Sequence, residues 1–127
     1  MDERVKEHLK HLNRYYLLLL DIQKIPYEQF IKDPIYQGSA ERFLQLAIES
    51  CMNIGNRVIA LAQFRSPVKT PETYADIFKE LHNIGVLEGD FANRLMAMAR
   101  FRNKLVHLYW DIDVESVYQF IQQNLED

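Results

Sequence analysis

Apolar residues recur every three or four positions along most of this chain, which is the spacing of one face of an α-helix. Only four prolines and four glycines interrupt the pattern. No segment combines a strict alternation of apolar and polar residues with flanking turn residues, as a strand would. The pattern therefore predicts an all-α protein, an up-down bundle of four to five helices that forms a single domain over residues 1–127.

Capping residues and helix breakers set the predicted boundaries. Pro26 stops the first apolar run, and Gly85 ends the third helix. Thr70 is predicted to cap the third helix, with Pro71 at its first helical position. Asp113 is predicted to cap the last helix. The predicted helices span residues 2–25, 39–64, 71–83, 89–109 and 114 onward, with a connector over 27–38.

Composition excludes several classes of protein. A formal charge of −3 argues against coating nucleic acid by bulk charge, although it leaves room for a local basic site. The single cysteine, Cys51, lies in an apolar segment and is predicted to be a small core residue; no His/Cys cluster indicates a metal site. The charged N-terminus is unlike a secretory signal, and the apolar run 15–20 is too short to span a bilayer. We therefore expect a cytoplasmic protein.

Arg102 lies at the centre of the apolar face of the fourth helix. A charge buried there costs several kcal/mol unless it is paired or reaches water. A helix that is apolar around so much of its circumference is wedged between neighbours, either in its own bundle or against a second subunit, where Arg102 would line a cleft at the dimer seam. The residues within about 60° of Arg102, at 100° per residue, are Phe91, Leu95, Met98, Leu105, Val106 and Tyr109.

His107 follows Arg102 by five residues, which places it about 140° further round an ideal helix. The two side chains would not point the same way from one straight helix. Either the helix bends near its end, or two copies of the chain complete one site across a two-fold axis. Asn103 shares a face with His107, and Tyr109 shares the other face with Arg102.

The segment RNKLVHLY resembles the Arg-x4-His-x-Tyr signature of HepT-like toxins, which belong to the HEPN superfamily. Arg102 and His107 fill the Arg-x4-His positions, Asn103 fills the polar position after the arginine, and Tyr109 fills the last position. The flanking segments resemble the family's other helices, so the similarity covers roughly residues 40–125. The resemblance implies a HEPN-type bundle that forms a homodimer with the motif-bearing helix at the seam.

The resemblance also implies a function: the metal-independent endoribonuclease of a toxin–antitoxin pair, with no cofactor. The implied partner is an MntA-type minimal nucleotidyltransferase, which would silence the toxin by transferring AMP to Tyr109. Residue chemistry agrees, because His107 can serve as acid or base and Arg102 can grip a phosphate. Asn103 would orient the phosphate or the histidine. Lys104 and Arg100, on the solvated side, are candidate contacts to the RNA backbone.

Two other interpretations stay open. The chain could be a HEPN domain without catalysis that serves as the helical partner of a nucleotidyltransferase and positions its substrate. It could also be a purely structural four-helix dimer. That last interpretation has to explain the burial of Arg102, which has no evident acidic partner in its own helix.

Overall fold

The computed structural model describes residues 2–64, 69–107 and 114–124. These residues form a helical bundle, as predicted, with no strand among them. It has six helices rather than four to five, because the predicted connector folds into a short helix and the first turn of a long one. The helices are α1 (Glu3–Gln23), α2 (Tyr27–Lys32), α3 (Pro34–Gln63), α4 (Tyr74–Asn83), α5 (Gly89–His107) and α6 (Val114–Asn124).

The long helix α3 begins at Pro34, earlier than the predicted start at Ser39. Asp33 caps it by accepting a hydrogen bond from the backbone N–H of Ile35 at 2.9 Å. A proline in the first helical position loses no hydrogen bond, so Pro34 starts this helix rather than breaking it. The 30 residues of α3 span about 45 Å, and the helix packs against each of the other five.

The predicted cap of α4 at Thr70 is wrong. The helix begins at Tyr74, and Thr73 is its N-cap. The Thr73 hydroxyl accepts from the backbone N–H of Asp76 at 3.2 Å, while the Asp76 carboxylate accepts from the backbone N–H of Thr73 at 3.3 Å. This reciprocal capping box satisfies two backbone donors at once, which the Thr70–Pro71 pair does not.

Two apolar clusters form the core, and α3 contributes to both. The first joins α3 to α1, α2 and α6 around Phe30, Leu44 and Ile121. The second joins α3 to α4 and α5 around Ile59, Phe78 and Ala99. Because α5 is anchored against α3 by these contacts, the side chains on its inner face reach the middle of α3.

The helix α4 ends at Asn83, and Gly85 follows it as the predicted stop, with a φ of +84° that favours glycine. His82 donates from Nδ1 to the Leu87 carbonyl at 2.9 Å across the turn between α4 and α5. The predicted end of the motif helix at Tyr109 and the predicted cap at Asp113 lie outside the described residues.

Cys51 is half-buried against the second cluster. Burial raises the pKa of its thiol to about 11, so it stays protonated at neutral pH, in keeping with the predicted core role. Among the helices as described, none has both the length and the apolar character needed to cross a membrane.

Candidate functional site

An ion pair between α5 and α3 holds Arg102. Its Nη2 donates to Oε1 of Glu49 at 2.6 Å, and its Nε donates to the same oxygen at 3.1 Å. The side chains are only 11% and 25% exposed, respectively. A charge in that position needs a partner, and α3 supplies one within the same chain. The burial of Arg102 therefore does not require a second subunit.

Asn103 completes the surroundings of the guanidinium. Its Oδ1 accepts from Nη1 of Arg102 at 3.2 Å. A guanidinium carries five N–H donors, so one donor on each Nη remains after these three contacts. Because the amide oxygen of Asn103 is engaged, its NH2 group remains to donate. Arg102 and Asn103 thus present neighbouring N–H groups, which is the chemistry that binds a phosphate.

Tyr74, the first residue of α4, packs its ring against the same guanidinium. The Cζ atom of Arg102 lies 4.8 Å from the centre of the ring. This distance is within the range of a cation–π interaction. Tyr74 is nevertheless 43% exposed, so this contact does not bury the residue.

The Glu49 carboxylate is charged in this environment. Burial alone would raise its pKa, but hydrogen bonds from Arg102 and Gln45, together with the charges of Arg102 and Arg42, outweigh burial and leave the pKa below its usual range. Gln45 donates from Nε2 to Oε1 of Glu49 at 3.1 Å. Glu49 is thus a fixed anion that orients Arg102.

A polar cleft opens beside this cluster, with a volume of about 510 Å³. It lies between α3, the segment before α4 and the outer side of α5. Asn103 and Tyr74 belong to both the cluster and the cleft. The lining residues are Asn56, Pro71, Glu72, Thr73, Tyr74, Ile77 and Asn103.

The structure brings two of the predicted site residues together, Arg102 and Asn103. Arg100 and Lys104 are exposed on another side of α5, where they line a wide apolar groove between α1, α3 and α5. His107 is the last residue of α5, and its side chain lies outside the described part of the structure, as does Tyr109.

The sequence analysis missed Glu49 and Tyr74. A signal for Glu49 was present, since it stands between two buried residues, Ile48 and Ser50, on an otherwise apolar stretch of helix. Gln45 lies one helical turn before it. Tyr74 gave no such signal, because its position depends on where α4 begins.

Within the described ranges, no group of three or more His, Cys, Asp or Glu side chains is arranged to hold a metal ion. The chemistry that this cluster offers comes from N–H donors, one carboxylate and an aromatic ring. Such a set can bind an anion and a planar group.

Comparison with known proteins decides the family. The family model described as "Ribonuclease HepT-like" matches residues 5–127. This chain belongs to that family. Arg102 and Asn103, which the resemblance placed in an Arg-x4-His-x-Tyr signature, are the two residues of that segment that the structure brings into contact.

Two characterised HepT relatives are similar over most of the chain. The "tRNA nuclease HepT" of Aphanizomenon flos-aquae is 28% identical over 126 residues, which cover 98% of this chain and 77% of the relative. The "mRNA nuclease HepT" of Shewanella oneidensis is 28% identical over 99 residues, which cover 78% and 71%.

A solved structure of a tri-AMPylated Shewanella oneidensis HEPN toxin in complex with an MNT antitoxin superposes with a TM-score of 0.85. Sequence identity is 23%, and the match covers 99% of this chain and 91% of that one. This likeness confirms the HEPN-type fold that the sequence predicted.

Replacing Glu49 by alanine should lower the free energy of unfolding by about 2 kcal/mol at pH 7, because the largely buried side chain of Arg102 is left without its anion. The pKa of Glu49 is lowered in the folded protein, so the pair stabilises the fold above the usual glutamate value of about 4.3 and loses this effect as the pH falls through the lowered value. Chemical denaturation of the Glu49→Ala variant and of the unmodified protein should therefore show that the difference between their free energies of unfolding shrinks from pH 7 to pH 3.

Glu28→Ala, at an exposed position on α2, is the matched control and should change stability little at either pH. Equal stabilities of the Glu49→Ala variant and the unmodified protein at pH 7 would show that the ion pair does not hold Arg102 in solution.

Proposed function

We propose that this protein is the ribonuclease toxin of a toxin–antitoxin pair and that Arg102, Asn103 and His107 form its catalytic site. The observation that carries the proposal is the cluster of N–H donors at Arg102 and Asn103, preorganised by Glu49 on the helix that bears the family signature. The names of the relatives, one a tRNA nuclease and the other an mRNA nuclease, support RNA as the substrate class.

The proposed reaction is a transesterification that needs no metal ion. The 2′-hydroxyl of the RNA attacks the adjacent phosphorus, the bond to the 5′-oxygen breaks, and the products carry a 2′,3′-cyclic phosphate and a 5′-hydroxyl. His107 takes the proton of the 2′-hydroxyl or returns one to the leaving 5′-oxygen. Arg102 and Asn103 donate to the non-bridging oxygens as negative charge builds up there.

Glu49 serves this reaction through Arg102 rather than by touching the RNA. By binding Nε–H and one N–H of Nη2, Glu49 fixes the guanidinium and leaves one N–H on each Nη for a phosphate. A phosphate then meets donors that need no reorganisation, which is where electrostatic catalysis gains most. We therefore assign Glu49 as a positioning residue of the site.

A homodimer would supply the second half of the site. His107 lies about 140° around the helix from Arg102, so one copy of α5 does not aim both side chains at one phosphate. Two copies related by a two-fold axis would bring a second His107 to each phosphate, so that one histidine acts as base and the other as acid. Arg100 and Lys104, both exposed, would then contact the RNA backbone at the edge of the dimer.

The proposed antitoxin is an MntA-like nucleotidyltransferase, in keeping with the solved complex of an AMPylated HEPN toxin and its MNT antitoxin. The hydroxyl of Tyr109 would attack the α-phosphorus of ATP and release pyrophosphate. The AMP left on Tyr109 would lie on the Arg102 side of the helix. Its phosphate would compete with RNA for the same donors.

The purified protein should cleave total cellular RNA in the presence of EDTA, and the products should end in a 2′,3′-cyclic phosphate. Arg102→Ala and His107→Ala should each lower the rate by about 10²- to 10⁴-fold, because each removes charge stabilisation or proton transfer. The matched controls are Arg14→Ala and His11→Ala, two exposed positions on α1, which should cleave like the unmodified protein. Product ends are read by end-labelling and mass spectrometry.

Absence of cleavage by the folded, unmodified protein would contradict the proposal. It would favour the other interpretation, a non-catalytic helical partner of a nucleotidyltransferase. Equal loss of activity in the α1 controls would also contradict the assignment, because it would separate activity from the Arg102 cluster.

Co-expression with an MntA-like nucleotidyltransferase should add one or more AMP groups to Tyr109 and abolish both cleavage and growth arrest. Intact-mass and peptide mass spectrometry measure the modification. The Tyr109→Phe variant should escape modification and stay toxic. The Tyr36→Phe variant, changed at the start of α3, should be modified and silenced like the unmodified protein. Modification at another residue, or full activity after complete modification, would refute this mode of silencing.

A further inference from the structure

The polar cleft beside Asn103 has no role in the cleavage chemistry described above. We propose that it is a nucleobase subsite, in which a base of the RNA stacks on Tyr74 while the phosphate next to it is held by Arg102 and Asn103. The inference deepens the proposed function and rests on it only for the identity of the ligand as RNA.

Tyr74 is built as a stacking platform. Arg102 lies over the ring at 4.8 Å, the residue is still 43% exposed, and Tyr74 lines the cleft. Its backbone is fixed because it is the first residue of α4, directly after the Thr73–Asp76 capping box. A rigid ring with an open surface is what unpaired bases stack on in proteins that bind single-stranded RNA.

Two shared residues connect the two subsites. Asn103 binds Arg102 with its Oδ1 and lines the cleft as well, and Tyr74 contacts Arg102 and lines the cleft. In the proposed complex, a phosphate bound by Arg102 and Asn103 is therefore next to a base in the cleft. The cleft volume of about 510 Å³ lies in the range of small-molecule sites, about 300–1,000 Å³, and leaves room for a base.

The polar side chains of the cleft indicate which bases fit. Glu72 supplies a carboxylate, which accepts hydrogen bonds only, and Asn56 supplies an amide. A carboxylate accepts from the exocyclic amino group of cytosine, and adenine carries an amino group at the corresponding position. Uracil presents a carbonyl oxygen at the corresponding position and would be repelled. The subsite should therefore prefer an amino-bearing base over uracil.

Binding of uncleavable RNA tests the subsite without relying on catalysis. Single-stranded 2′-O-methyl oligocytidine and oligouridine lack the free 2′-hydroxyl, and fluorescence anisotropy gives their Kd values. The unmodified protein should bind oligocytidine more tightly. Tyr74→Ala should weaken binding by roughly 5- to 100-fold, Tyr74→Phe should bind nearly normally, and Glu72→Gln should lose the preference over oligouridine.

Tyr36→Ala is the matched control, since Tyr36 is also a partly exposed tyrosine but lies at the start of α3, away from the cleft. Its binding should not change. Normal oligocytidine binding by Tyr74→Ala, or a loss as large in Tyr36→Ala, would overturn the proposal.

A second comparison separates stacking from support of Arg102. If Tyr74 acts only by holding the guanidinium, its replacement should have no further effect once Arg102 is already alanine. Base stacking predicts that Tyr74→Ala weakens binding in the Arg102→Ala background by a similar factor. No further loss in that background would overturn the subsite, even if the protein cleaves RNA. Conversely, if the protein does not cleave RNA but its RNA binding depends on Tyr74, the subsite is supported and the proposed ribonuclease activity is contradicted.

Discussion

The ion pair between Arg102 and Glu49 joins α5 to α3 at the level of the family signature. An unpaired arginine whose side chain is only 11% exposed would be costly among the apolar side chains of α5. Pairing removes that cost and also fixes which N–H groups of the guanidinium remain available. The same contact thus stabilises the buried charge and leaves defined N–H groups available to a ligand.

The helix α3 makes this arrangement achievable because it spans the bundle and packs against every other helix. It places Gln45 and Glu49 opposite Arg102, while the capping box at Thr73 places Tyr74 on the remaining side of the guanidinium. Three separate helices therefore converge on one side chain. The burial of Arg102 is explained within one chain, so it no longer counts against a purely structural dimer. Support for the proposed catalytic dimer therefore comes from the position of His107.

Helical periodicity was enough to predict the all-α fold, and the apolar face of α5 was enough to single out Arg102. The predicted start of α3 was wrong because a proline at the first helical position resembles a helix breaker in the sequence. The predicted start of α4 was wrong because two threonines within four residues can each serve as an N-cap. The sequence marks Glu49 as a charge on an apolar stretch of helix, but it does not show that Glu49 pairs with Arg102, because the two residues are 53 positions apart. Only the packing of α5 on α3 determines that pairing.

In the proposed site, Glu49 holds one edge of Arg102 so that the remaining N–H groups of Arg102 and the Asn103 amide donate to the RNA phosphate. NMR of these side-chain N–H groups, while an uncleavable 2′-O-methyl dinucleotide is added, tests this arrangement. We expect an Arg102 Nε–H that is protected from exchange with water both before and after binding, and a shift of the Asn103 NH2 signals on binding. Rapid exchange of the Arg102 Nε–H in the free protein, or unmoved Asn103 signals at saturation, would rule out this arrangement.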